Sequence, residues 1–304
     1  MKTLFKLYAE LLPVLAFIPA GYIIKKKFAV NAEYISFPLI KILMPILVFF
    51  NMLDAESEKL YVLPFFTLLL ALAMAPVANL TQKRLAQDFN PMLLKSSFSF
   101  FNIAFFGIPT VTALFGEDKV STLICIYLGS AIYGDTVGYF QVAKTKYNTS
   151  KALKEVAKIP FLYIFVAGIV CKFLDVQTPQ FMEGPLSIIS LTVSCAGMLI
   201  VGFQLADVSL TQIRISYYLK LIGVRTIAAV VILGTLMALE YFIFHRLDKE
   251  DYQMLFLVSL FPVATNVTVF ASFLESEEEK ASLIVVISAL VSLLLVSVAA
   301  LFLS

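Results

Sequence analysis

Long apolar windows alternate with short polar stretches along almost the whole chain. Roughly 20 mostly apolar residues are what a helix needs to cross the hydrocarbon core of a bilayer. Ten such windows are readable: 4–24, 33–53, 60–81, 91–115 and 119–141, then, beyond a basic stretch over 144–158, 159–174, 180–205, 215–243, 252–273 and 281–303. The pattern predicts an all-α polytopic membrane protein of ten transmembrane helices. Ten helices occupy about 200 residues, so the connections leave no room for an extra soluble domain.

Composition agrees. The chain has 304 residues, 60% hydrophobic and 14% charged, against about 45–50% and about 25% in soluble proteins. Cys125, Cys171 and Cys195 lie inside apolar runs without metal or redox spacing. The single histidine, His245, rules out a multi-histidine metal site. There is no Walker loop, dinucleotide fingerprint or His-Glu-x-x-His, and the basic stretch is too short and too poor in aromatics for a nucleic-acid domain. We therefore expect no enzyme activity, no metal and no cofactor, with a coupling proton or Na+ left open. The expected partners are the lipid bilayer and a small solute, not nucleic acid; a homodimer is left open. The first window stops at Lys25-Lys26-Lys27 and reads as an anchored helix rather than a cleavable signal.

With Lys41 and Lys95 set aside as lying within apolar windows, the remaining Lys and Arg divide 14 to 7 between alternate connections. The positive-inside bias then places both termini outside a cell membrane and the central basic loop in the cytoplasm. At an offset of 153, Asn51 meets Gln204, Asp54 meets Asp207, Pro109 meets Pro262 and Thr112 meets Thr265. Five helices per unit is an odd number, so a second copy is inverted, as in many secondary transporters. The expected organisation is a first repeat at 1–141, a cytoplasmic linker at 142–158 and an inverted repeat at 159–304.

The expected chemistry lies in the fourth and ninth windows. Gly107-Ile108-Pro109-Thr110 follows Asn102, and Pro262 precedes Thr265-Asn266. Proline removes a backbone donor, glycine eases unwinding, and a break at membrane depth persists only where protein or a water-filled cavity satisfies it. Half-helix N-termini offer free N–H groups to an anion. The expected substrate-binding set is Asn102, Gly107, Pro109, Thr110, Pro262, Thr265 and Asn266; the plainer alternative is two proline kinks. Lys41 and Asp135 lie within apolar runs, as coupling or counter-charge groups or as a structural ion pair. Asn51 and Gln204 are candidates for lining the pathway. Glu10 is expected at the outer interface, and Arg225 within snorkelling reach of the cytoplasmic side.

Two segments resemble the auxin efflux carrier family of membrane transporters. They are Phe101-Asn102-Ile103-Ala104-Phe105-Phe106-Gly107-Ile108-Pro109 with Ala113-Leu114-Phe115-Gly116, and the stretch from Phe261-Pro262-Val263 through Asn266-Val267-Thr268 to Ala271. The resemblance implies a bile-acid/sodium symporter-like fold of two inverted five-helix repeats. It implies a scaffold from helices 1, 2, 6 and 7, a mobile core from helices 3–5 and 8–10, and broken helices 4 and 9 crossing beside the substrate. The implied activity is elevator-type transport of a small organic anion, a mono- or dicarboxylate or auxin-like acid. The alternative is a receptor or sensor on the same fold that binds without moving its ligand.

Overall fold

The structure is a computed structural model that describes residues 2–206 and 213–303, and all regular elements among them are helical. The α-helices are α1 (Lys2–Leu15), α2 (Phe17–Phe28), α3 (Glu33–Pro38), α4 (Met44–Asp54), α5 (Ser57–Leu85), α6 (Pro91–Ser99), α7 (Gly107–Leu114) and α8 (Val120–Tyr133). They continue as α9 (Tyr139–Ala143), α10 (Thr149–Ala157), α11 (Pro160–Phe173), α12 (Glu183–Ala206), α13 (Ile215–Ile243), α14 (Lys249–Leu260), α15 (Asn266–Leu274) and α16 (Glu278–Leu303).

Among the described residues, seven helices are long and apolar enough to cross a membrane: Leu4–Phe28, Tyr34–Asp54, Ser57–Leu85, Glu117–Ala143, Gln180–Ala206, Ile215–Ile243 and Glu278–Leu303. They match seven of the ten windows and make the chain a multi-pass membrane protein. The other three windows fold as shorter pieces. Window 91–115 becomes α6 and α7, window 252–273 becomes α14 and α15, and window 159–174 becomes α11, which bends 51° from α10. Large side chains such as Phe173, Phe242 and Phe302 stand more than two-thirds exposed. A contiguous apolar exterior of this kind belongs in lipid rather than water.

Small residues set the closest packing. A Cβ on Gly21 of α2 would lie 2.2 Å from the Leu199 carbonyl oxygen, and one on Gly202 of α12 would lie 2.0 Å from that of Ile18. The two helices thus meet backbone to backbone, the packing that small residues permit in membranes. Gly129 of α8 does the same against α5, where a Cβ would come within 1.8 Å of the Pro64 carbonyl. Around these seams, α4 packs on α11, while α5 packs on α8, α6 and α13.

Two windows carry a wider π-turn at the residues flagged as charged in the membrane. Lys41 sits in the π-turn Leu39–Leu43, and Asp135 in the π-turn Gly134–Gly138. Such bulges occur frequently at functional positions. Arg225 corrects an expectation: it does not snorkel to water but is 1% exposed.

Candidate functional site

The first break runs through residues 100–106, between α6 and α7, and the second through 261–265, between α14 and α15. The two pair with each other. Phe101 and Val263 form an antiparallel bridge; the Asn102 N–H donates to the Pro262 carbonyl at 2.9 Å, and the Ala264 N–H to the Phe100 carbonyl at 3.0 Å. Two unwound segments, each lacking a helical partner for its backbone, satisfy part of that need against each other. At membrane depth such satisfaction is obligatory.

Side chains complete the accounting. Asn102 Oδ1 accepts from the Phe105 N–H at 3.2 Å, turning the first break back toward α7. Ser288 of α16 accepts from the Val263 N–H at 2.9 Å and donates to the Val285 carbonyl at 2.8 Å. The largest contribution comes from Arg225 of α13. Its Nε donates to the Ser97 carbonyl at 2.8 Å, Nη1 to Phe261 at 3.0 Å and Nη2 to Phe100 at 3.1 Å. The guanidinium carbon lies 3.8 Å from the centroid of the Phe101 ring. Ser97 lies in the last turn of α6, and Phe100 and Phe261 cap the C-terminal ends of α6 and α14, where helix dipoles concentrate negative charge.

The break falls earlier than the Gly-Ile-Pro-Thr motif alone indicates. Gly107 opens α7, and Pro109 lies in its first turn, where a missing N–H costs little. Pro262, by contrast, lies within the unwound stretch. Pro109 and Pro262 are therefore not equivalent. The first halves end at Ser99 and Leu260, 161 positions apart, and the second halves begin at Gly107 and Asn266, 159 apart, rather than at the offset of 153.

A cavity of about 650 Å³ reaches the first turn of α7 at Ile108 and Pro109, between α7 and helices α1, α4 and α12. Asn51 and Thr112 line it together with Ser190 and Ser194 of α12. Its mouth carries five exposed carboxylates, Glu10, Asp54, Glu117, Asp118 and Glu183, and no basic residue among the described residues lines it. Ser187 of α12 donates to Glu117 Oε2 at 3.1 Å, joining two sides of the mouth.

The expected site residues therefore divide. Asn51 and Pro109 line the cavity. Asn102, Pro262 and Thr265 are buried at the crossing and are not part of the cavity lining. Thr265 Oγ1 is buried without a hydrogen-bond partner among the described residues. Asn266 is exposed at the start of α15. Thr110 is fully buried and spends its hydroxyl on the Phe106 carbonyl at 2.7 Å. Gln204 is half-buried, with Oε1 unpartnered among the described residues, and Asp207 lies outside them. Lys41 is exposed, and its charge acts on the half-buried Asp135 without a contact ion pair among the described residues. Arg225 is the residue that sequence reasoning misplaced. It is the eleventh residue of the 29-residue α13, about 15 Å along the axis at 1.5 Å per residue, half the thickness of a bilayer core. That depth was the available signal.

Compared with models of known protein families and with curated proteins, the chain matches none.

Proposed function

We propose that the chain is a secondary transporter whose substrate sits beside the crossing of two interrupted helices. The observation that carries this reading is the antiparallel pairing of the two breaks at Phe101 and Val263, next to a cavity that ends on the first turn of α7. Broken helices from two halves, meeting where backbone groups are free for a guest, are the working part of inverted-repeat carriers. In this reading the three shorter windows complete ten spans, and the halves 1–141 and 159–304 are inverted repeats. The resemblance to the auxin efflux carrier family supports the same arrangement. Helices α5–α9 and α13–α16 would move as a core against a scaffold of α1–α4, α11 and α12, in an elevator-type cycle.

The cargo we propose is a small organic anion, held at the α7 N-terminus with Asn51 and Thr112 as polar neighbours. The acidic mouth favours a second reading: a cationic or zwitterionic solute would be drawn through five carboxylates that repel an anion. Proteoliposome flux decides between them. Wild-type protein should move a labelled mono- or dicarboxylate, and Asn51→Leu should slow it. Flux of amines but not carboxylates would favour the second reading. Saturable binding without flux of either would leave a receptor and sink the transport proposal.

A further inference from the structure

Unwound carbonyls and half-helix C-termini are where carriers of crossed-helix design hold a coupling cation. Here the C-terminal ends of α6 and α14 converge from opposite halves of the chain, and their dipoles place partial negative charge at one point. That point is already filled. Arg225 sends three of its N–H groups to three carbonyls drawn from both first half-helices, at 2.8–3.1 Å. Its open face is covered by the Phe101 ring, and the side chain is almost wholly removed from solvent. Guanidinium has a planar fork suited to several fixed acceptors at once and is more weakly hydrated than ammonium. The charge that an incoming ion would supply comes instead from α13.

We propose that Arg225 is a resident cation that takes the place of a coupling ion at the crossing, so that the protein binds no Na+ there and works without it. This deepens the transport reading and rests on it for the word coupling, but its physical core, a carbonyl cage closed by one guanidinium, stands apart. Arg225 is a positioning residue: it acts on a substrate only through the two breaks it ties together. The Phe261 carbonyl and the Ser97 carbonyl are far apart in sequence, and no other side chain among the described residues donates to both. Removing the fork would leave a cage of carbonyl oxygens with room for a small cation.

The test needs no substrate. Purified wild type, Arg225→Lys and Arg225→Ala are melted in NaCl and in choline chloride at equal ionic strength, with and without methylguanidinium. Wild type should melt at the same temperature in both salts. Arg225→Ala should melt on the order of 10 °C lower and regain part of that loss with methylguanidinium or Na+ but not with choline. Arg225→Lys, a point charge in place of a fork, should fall between. A Na+-specific rise in wild-type melting temperature would overturn the proposal even if Arg225→Ala fails to fold. Failure of both cations to rescue a folded Arg225→Ala would overturn it as well. Loss of the transport reading shows differently: wild-type proteoliposomes would carry no solute, while the salt and rescue results stayed as described.

Discussion

The two breaks share a topology and a common anchor, yet they are finished differently. The first, residues 100–106, is closed by its own Asn102 and hands its second half-helix to the cavity at Ile108 and Pro109. The second, 261–265, borrows its closure from Ser288 on another helix and does not touch that cavity. It keeps a buried Thr265 hydroxyl with no hydrogen-bond partner among the described residues and an exposed Asn266. The contrast shows that two breaks paired at one crossing need not share their chemistry. One break presents a helix terminus to solvent-sized space, while the other holds polar capacity in reserve.

Four substitutions test this contrast in descending size. Arg225→Ala removes the anchor of both breaks and takes the side-chain donor from the Ser97 and Phe261 carbonyls, while Phe100 keeps the Ala264 N–H; at about 1–3 kcal/mol for each orphaned buried acceptor, this is the largest expected loss. Thiol labelling of the buried Cys125 during heating reports it as earlier exposure. Ser288→Ala strips the acceptor from the Val263 N–H, at about 1–3 kcal/mol for an orphaned buried donor. It should loosen the second break alone, seen as faster amide exchange at Val263 than at Asn102. Asn102→Ala removes a local side-chain acceptor worth about 1 kcal/mol and should speed exchange at Phe105. Thr265→Val removes a hydroxyl that has no partner among the described residues, so melting should hold within about 0.5 kcal/mol or improve, because nothing is left unsatisfied. Flux should nevertheless drop if that hydroxyl meets the cargo. If Thr265→Val destabilised the fold as much as Ser288→Ala, the picture of a reserve in the second break would be wrong.

How much of this was legible follows from which forces act locally. Hydropathy over twenty-residue windows reports the solvent around a helix, and the bilayer imposes it strongly, so the long spans were readable to within a few residues. The breaks were readable as compositional oddities around Gly107 and Pro262. Their limits were not, because proline fits equally well in a first turn and in an unwound stretch, and only the surrounding structure decides. Thr110 looked available because a hydroxyl one turn into a helix can either face a guest or bond back to its own backbone; it does the second. The acidic mouth was invisible for another reason. Glu10, Asp54, Glu117 and Glu183 come from four separate stretches of sequence, each unremarkable alone, and only the packing of α1, α4, α7 and α12 gathers them.

The contact of Gly21 with Gly202 has a mechanical consequence. Two helices touching main chain to main chain cannot slip a rung past one another without first parting by the width of a methyl group. That pair of rods must therefore tilt together when the surrounding lipid thickens or thins, like a single stiff post.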